Sequence, residues 1–190
     1  MMTYLTMRHY RVTKQAATSS IATLFEMEHK VRTTYGISDE SYGGKDWMPK
    51  PDGIGQGNGY APALWAGISS LMLKVMSDKG YGTKLRSPIS KVFLHMTGYS
   101  FVDDTDFIET ALPNKTWTSL FVRAQKGLQL WETLLRTTGG AIEPTKSHWV
   151  RISHKWKNGK SSLEKANRNK HLEVRDPNGH TTYLQQIEAT

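Results

Sequence analysis

The stretch GYSFVDDTDF, residues 98–107, places the carboxylates of Asp103, Asp104 and Asp106 within four residues, directly after an apolar, aromatic run. Carboxylates this close repel one another unless a cation lies between them, and carboxylate oxygens are ligands that Mg²⁺ prefers. The alternative is a tight turn, in which Asp is also common. Both interpretations require the chain to turn at the carboxylates.

A glycine-rich loop, GIGQGNGYAPALWAG at residues 53–67, is the second candidate site. Its glycines let the backbone approach a ligand closely, and the amide of Gln56 can bond a base, a sugar or a backbone group. No Gly-Lys-Ser/Thr follows, which excludes a Walker A loop, and no βαβ unit surrounds it as a dinucleotide site requires. Pro62 then opens a helix. Taken alone, the loop is explained as well by simple flexibility.

Together the two sites resemble the palm of reverse transcriptases. Phe101-Val-Asp-Asp follows Gln56-Gly-x4-Pro by about 45 residues, in the order and at the spacing of that family. The resemblance covers roughly residues 20–156 and extends to retroelement enzymes of unicellular eukaryotes. It is carried by four segments: ATLFEMEHKVRTTYGIS, GIGQGNGYAPALWAGISSLM, GYSFVDDTDFIE and GLQLWETLLRTTGGAIEPTKSHW.

The resemblance implies an RNA-directed DNA polymerase that uses Mg²⁺ or Mn²⁺, a primed RNA or DNA template and dNTPs. Asp103 and Asp104 would bind the catalytic metal, and Phe101 would lie under the primer terminus. Lys146 in PTKSHW would protonate the leaving pyrophosphate, although an ordinary exposed lysine at a strand end explains it equally. The resemblance also assigns the template and nucleotide contacts, to Gln56, Gly57 and Pro62.

The chain departs from that family in three ways. Such palms carry a further metal-binding aspartate upstream of the first long helix, but MMTYLTMRHYRVTK contains no Asp or Glu. Tyr60-Ala61 stands where two small residues are usual, and no thumb or primer-grip segment follows. We therefore expect residues 1–190 to be a partial fingers-and-palm domain with impaired activity. Asp106 matches no metal ligand and is assigned to turn geometry or charge balance.

The chain is basic, with a formal net charge of +8. This charge favours polyanionic partners, nucleic acid above all. Basic residues crowd the segment from His148 to His171, interleaved with Trp149 and Trp156, as in a groove that tracks a nucleic-acid backbone and stacks its bases. A solvated loop would look similar. The chain has no Cys, no signal-like apolar core and no membrane-spanning apolar run, so we expect an intracellular protein without membrane contact.

The apolar spacing predicts helices over residues 14–35, 62–80 and 117–135, the second apolar on most sides. KVFLHMTGYSFVDDTDFIET is typical of two strands with the aspartate cluster at the turn, and HWVRISHKW alternates as a strand does. Asp176-Pro177-Asn178-Gly179 predicts a hairpin turn. This order of elements predicts an α+β fold class. The resemblance further implies a polymerase-type palm with partial fingers, whose antiparallel Asp-Asp hairpin packs against long helices.

Two other functions stay open at this point. One is a non-catalytic, basic nucleic-acid-binding domain that kept the palm scaffold and lost the chemistry. The other is an inert fragment whose apolar faces need an absent partner segment, which would promote aggregation.

Overall fold

The α+β class is confirmed by the architecture of the protein, which combines helices with small, mostly antiparallel sheets. The structure is a computed structural model. It describes five ranges of the chain, residues 2–46, 61–101, 104–111, 115–164 and 170–188.

Four helices lie within the described ranges: α1 (Met2–His9), α2 (Lys14–Glu26), α3 (Ala61–Asp78) and α4 (Trp117–Thr137). The two long helices, α3 and α4, confirm the helices expected from residues 62 and 117 onward. Helix α4 begins where the Thr116 hydroxyl accepts a bond from the Ser119 N–H, and it ends just before Gly139, which has a φ of 87°. None of the described helices is both long and apolar enough to cross a membrane.

The strands are short. In chain order they are β1 (Glu28–His29), β2 (Arg32–Thr33), β3 (Gly36–Ile37), β4 (Tyr42–Gly43), β5 (Thr83–Arg86), β6 (Phe93–Met96), β7 (Gly98–Phe101), β8 (Asp104–Phe107), β9 (His148–Val150), β10 (His154–Lys157), β11 (Lys160–Leu163), β12 (Leu172–Arg175) and β13 (Thr181–Ile187). Five two-stranded antiparallel pairs form from β1–β4, β2–β3, β5–β6, β7–β8 and β10–β11. The remaining sheet has the order β12-β13-β9, in which β9 runs parallel to β13.

The predicted helix over residues 14–35 is wrong beyond Glu26. Met27 is extended (φ −67°, ψ 127°), and the next residues pair as strands, Glu28 with Gly43 and Arg32 with Ile37. Strand pairing therefore overrides the helical spacing of the apolar residues in this stretch, and β-branched residues such as Thr33 of β2 favour strands. The glycine expected to stop the helix lies inside strand β3 instead.

The chain divides into two compact units, one formed by Met1–Val75 with Gly98–Phe107 and the other by Met76–Thr97 with Ile108–Thr190. In the first unit the buried apolar side chains of α3 recur at helical spacing: Leu64, Ile68 and Met72. A Cβ on Gly67 would lie 3.2 Å from Thr6 Cγ2, so the absence of a side chain there lets α1 approach α3 closely.

In the second unit α4 packs against the three-stranded sheet. Trp131 of α4 is 4% exposed, and it shares the buried set of this unit with Leu172, Val174 and Leu184 of the sheet. The amide of Gln125 pairs with the backbone of Glu173 of β12 at both ends: its Nε2 donates to the Glu173 carbonyl at 2.9 Å and its Oε1 accepts from the Glu173 N–H at 2.8 Å. The helix therefore satisfies backbone groups at the edge of the sheet as well as covering it.

A partly buried ion pair ties three segments of the second unit together. Arg123 Nε of α4 lies 2.6 Å from Glu109 Oε2, and Glu109 Oε1 accepts a bond from the Gly82 N–H at 2.7 Å. The Arg123 guanidinium also donates to the carbonyls of Gly80 and Gly82. Glu109 follows strand β8 in sequence, whereas Gly80 and Gly82 follow helix α3, so one side-chain pair fixes three chain segments.

We predict that Arg123→Ala lowers the free energy of unfolding by about 2 kcal/mol, because it leaves the Glu109 carboxylate and two carbonyls without their donor. Urea unfolding followed by circular dichroism measures the change. Lys126→Ala, which removes the same charge from an exposed position of the same helix, is the matched control and should change stability by less than about 0.5 kcal/mol. Equal effects of the two variants would contradict the role of the ion pair.

Candidate active-site hairpin

The aspartate-rich stretch forms the antiparallel hairpin β7–β8. Phe101 pairs with Asp104 and Gly98 pairs with Phe107, so the connection between the strands consists of residues 102–103. Gly98 is required at the base, because a Cβ there would lie 2.2 Å from the Asp106 carbonyl oxygen. Beyond the hairpin, the Ile108 N–H donates to the Thr97 carbonyl at 3.2 Å and continues the ladder.

One face of this hairpin combines aromatic rings with carboxylates. Side chains alternate between the faces of a strand, so the register places Tyr99 and Phe101 of β7 on the same face as Asp104 and Asp106 of β8. All four are exposed, Phe101 by 77%. The side chains of the other face are half-buried, and among them Ser100 Oγ lies 3.0 Å from Thr105 Oγ1. The hairpin therefore presents its charged side chains outward on a single face.

Asp106 pairs directly with Tyr99 across the hairpin. Hydrogen bonding to the Asp106 carboxylate, and secondarily the charge of that carboxylate, raise the pKa of Tyr99 above its usual value. The sequence pattern assigns Asp106 to turn geometry or charge balance, whereas in the structure it lies inside β8 and partners the phenol. Asp106 is two residues from Asp104, and this spacing predicts that both side chains lie on one face of a strand. The prediction can be made only when the position of the connection between the strands is known.

The described part of the hairpin offers two carboxylates, and the described residues of the chain contain no group of three His, Cys, Asp or Glu able to hold a metal ion. Asp103, the first predicted metal ligand, lies outside the described residues. Asp104 is exposed and carries the oxygen donors that Mg²⁺ and Mn²⁺ prefer, so its chemistry fits the group. The described residues before α2 carry no carboxylate and form helix α1.

The other predicted site residues are placed separately. Gln56 and Gly57 lie outside the described residues. Pro62 lies exposed in the first turn of α3, which confirms the prediction that a helix opens there. Lys146 belongs to the second unit, where it is exposed in the turn before β9 and its N–H donates to the Glu143 carbonyl at 3.2 Å. This placement is that of an exposed lysine before a strand, and its role in proton transfer stays a prediction.

The aromatic residues of the basic segment separate into an inner layer and one exposed ring. Trp149 stacks on Trp117 of α4, with centroids 6.3 Å apart, and meets Phe121 edge-on at 5.9 Å. The Arg151 guanidinium covers Trp117 at 4.5 Å. These rings contact one another and are half-buried, whereas Trp156 is 74% exposed. Of the two tryptophans predicted to stack bases, Trp156 is therefore the exposed one.

Trp156 lies on the β10–β11 hairpin, a two-stranded ribbon whose eight strand residues are all exposed. Its turn is Asn158-Gly159, with φ values of 52° and 73°, which match the turns that tight hairpins favour. Trp156 pairs with Ser161, and Lys157 pairs with Lys160. Lys165 and Arg168, further basic residues of this segment, lie outside the described residues.

Glu164 anchors the base of this ribbon. Its backbone N–H donates to the Ser153 carbonyl at 2.7 Å, and its carboxylate accepts from Ser153 Oγ at 2.9 Å and from Arg151 at 3.3 Å. Lys155 Nζ lies 3.0 Å from the other carboxylate oxygen. The Lys155 ammonium, then the Ser153 hydroxyl, lower the pKa of Glu164 below its usual value. The same arginine covers Trp117, so the carboxylate links the ribbon to the aromatic layer.

Comparison of the chain with family models, with curated proteins and with solved structures finds no match. The functional interpretation consequently depends on the motifs and on the geometry of the two hairpins.

We predict that Asp106→Asn lowers the pKa of Tyr99 toward the usual tyrosine value of about 10, because the charged acceptor is lost. Since folding raises this pKa, the associated stabilisation is present below the usual value and is lost as pH rises through the folded pKa. NMR titration of tyrosine labelled at Cζ measures it. A Tyr99 pKa that is unchanged in Asp106→Asn would contradict the pairing.

We predict that the base of the β10–β11 ribbon loosens in acid. The pKa of Glu164 is lowered by folding, so its contribution is present above the usual value of about 4.3 and is lost as pH falls through the folded pKa. Amide hydrogen exchange at Lys155 and Ser162, followed with decreasing pH and corrected for intrinsic rates, should show this loss. In Glu164→Gln the protection should be weaker and independent of pH in that range; an unaltered pH response would rule the anchor out.

Proposed function

We propose that this chain is a reverse-transcriptase-like palm segment whose β7–β8 hairpin carries the metal-binding aspartates of RNA-directed nucleotidyl transfer. The partners are a primed RNA or DNA template and dNTPs. The proposal combines the ordered motifs of the sequence with the form of the hairpin, since polymerase-type palms are expected to present such carboxylates at a tight antiparallel turn.

The observation that carries the proposal is the position of the turn. The connection of the hairpin falls at residues 102–103, so the Phe-Val-Asp-Asp motif spans it, with Phe101 ending β7 and Asp104 beginning β8. If the motif were buried or lay in the middle of a strand, a substrate could not reach its side chains. Instead Phe101 and Asp104 are paired, exposed and on one face.

The residues take separate roles in this proposal. Asp103 and Asp104 would hold the Mg²⁺ or Mn²⁺ ions, which when bound stabilise the attacking and leaving oxygens of an in-line displacement. The ring of Phe101 would support the primer terminus, beside the carboxylate of Asp104 on the same face. Gln56, Gly57 and Pro62 would line the template and nucleotide side, and Lys146 would serve as the proton donor to pyrophosphate.

In this proposal the two aspartates of the hairpin are the anionic metal ligands that the chain supplies. The described residues ahead of α2, which include helix α1, carry no carboxylate and supply no third anionic ligand. Two divalent ions held by two aspartates are under-coordinated by anionic groups, which weakens their binding. Manganese, which binds N and O ligand sets more tightly than magnesium, should partly compensate.

The second candidate is a basic nucleic-acid-binding domain that retains the palm scaffold without catalysis. It is favoured by the exposed β10–β11 ribbon, which carries Trp156 and three lysines away from the aspartate hairpin in sequence. The two candidates differ in one respect that can be measured: only the first requires the carboxylates of β7–β8.

We predict slow, manganese-dependent primer extension on a primed RNA template that disappears in Asp103→Asn/Asp104→Asn, because the substituted amides no longer neutralise the metal charge. Incorporation of labelled dNTP, resolved by gel, measures it. The matched control is Asp106→Asn, which removes a carboxylate from the same hairpin face and should retain most of the extension.

Extension that persists unchanged in the double variant would contradict the proposal. If no variant extends the primer while the unaltered chain still binds the primed template, the non-catalytic candidate replaces it.

A further inference from the structure

The β10–β11 ribbon has two chemically different faces. The register places Trp156 and Leu163 on one face, together with His154, whose Nδ1 lies 2.9 Å from Ser161 Oγ. Trp156 is 74% exposed and Leu163 46% exposed. The other face carries three lysines: Lys155, Lys157 and Lys160.

Two of these lysines form a like-charge pair at the tip. Lys157 and Lys160 stand directly opposite each other across the two-residue turn, an arrangement that destabilises a hairpin unless an anion lies between the ammonium groups. Lys155 differs, because it is paired with Glu164. Among the ion pairs of the described residues, none supplies a carboxylate to the tip lysines. The tip is therefore a position where an anion would stabilise the hairpin, and the exposed indole of Trp156 is its neighbour in sequence.

We propose that the β10–β11 ribbon binds single-stranded nucleic acid, with Trp156 stacking on a base and the pair Lys157 and Lys160 contacting phosphate. Stacking on an exposed indole needs a base whose face is open, which favours a single strand over a duplex. Lys157 follows Trp156 in sequence, and its flexible four-carbon stem can carry the ammonium around the edge of a two-stranded ribbon. This inference deepens the proposed function and takes from it only the nature of the partner.

The arrangement disfavours one other polyanionic partner. An acidic polypeptide would satisfy the lysines but provides no flat face for the indole. A flexible strand satisfies both, because its bases and phosphates alternate along the chain.

The ribbon is held firmly enough to act as a binding element. The Glu164 carboxylate bonds Arg151 and Ser153 at its base, and the guanidinium of Arg151 lies over Trp117 at 4.5 Å. Trp156, Lys157 and Lys160 take no part in these contacts of Glu164. Substitutions at the tip should consequently leave the fold unchanged, which circular dichroism and the thermal midpoint check.

The experiment measures binding of fluorescent oligothymidylate and oligouridylate of about 20 nucleotides by anisotropy, in EDTA and over a salt series. Trp156→Ala should weaken binding about tenfold with an unchanged salt slope, because stacking is lost while phosphate contacts remain. Lys157→Gln/Lys160→Gln should reduce the slope of log K against log salt by about 1.4, since each single-strand phosphate contact contributes about 0.7.

Matched controls separate the ribbon from general charge and aromatic effects. Lys79→Gln/Lys126→Gln removes the same charge from exposed helical and loop positions of the same unit, and Phe93→Ala removes a 66% exposed ring from another hairpin. Both should bind like the unaltered chain. Because EDTA removes the divalent ions that the polymerase proposal requires, binding is measured independently of that proposal, and its failure would leave this result intact.

Three results would overturn the inference. The first is that the unaltered chain binds neither oligonucleotide. The second is that the ribbon variants and the control variants lose affinity equally. The third is that polyglutamate or anionic vesicles compete as well as unlabelled oligothymidylate does. The last result would assign the ribbon to acidic polymers or membrane surfaces in place of nucleic acid.

Discussion

The ion pair between Arg123 and Glu109 fixes the segment of the second unit that follows strand β8 in sequence. Glu109 follows β8 by two residues, and its carboxylate is held by Arg123 of α4 and by the Gly82 N–H. The Ile108 N–H and the Thr97 carbonyl close the chain segments that lead into and out of the hairpin. The partly buried carboxylate of Glu109 accepts bonds from both Arg123 and the Gly82 N–H, and additional hydrogen bonds of this kind are what allow a desolvated ion pair to stabilise.

The β7–β8 and β10–β11 hairpins follow the same physical rule, in which the pairing register decides which side chains meet. In β7–β8 the rule brings aromatic rings and carboxylates to one exposed face. In β10–β11 it separates the indole from the lysines and forces two ammonium groups to face each other. A shift of either register by one residue would reverse the faces, so the chemistry of each hairpin depends on its turn.

Elements with strong local signals can be predicted from the sequence. Helix α4 combines a long apolar stripe with a threonine cap and a terminal glycine, and Asp176-Pro177-Asn178-Gly179 turns between β12 and β13 as expected. The error after Glu26 has the opposite cause. Apolar residues there recur at helical spacing, yet the residues pair in two-residue strands, and such short-range pairing competes with helix without altering the hydrophobic pattern.

The candidate sites are predictable by residue type and less so by geometry. The clustering of aspartates in the sequence is enough to identify the carboxylates near the connection of the hairpin. The pairing of Asp106 with Tyr99 can be predicted only from the register of the two strands. The alternation in HWVRISHKW predicts a single strand, whereas the structure divides it between β9 and β10, and Asn158-Gly159, a strong hairpin signal, turns the chain into β11. The opposition of Lys157 and Lys160 can be predicted only when that turn is recognised. The two lysines are close in sequence in any conformation, but their side chains face each other only in a hairpin.

The most direct test of the central claim, that the tip of β7–β8 is a divalent-cation site, is the thermal midpoint with and without millimolar manganese. Native-state binding stabilises by mass action, by about 2.7 kcal/mol when the ion is at 100 times its Kd. We expect manganese to raise the midpoint of the unaltered chain and of Asp106→Asn, and to leave that of Asp103→Asn/Asp104→Asn unchanged. A midpoint that manganese does not move in the unaltered chain, or moves equally in all three proteins, would contradict the claim.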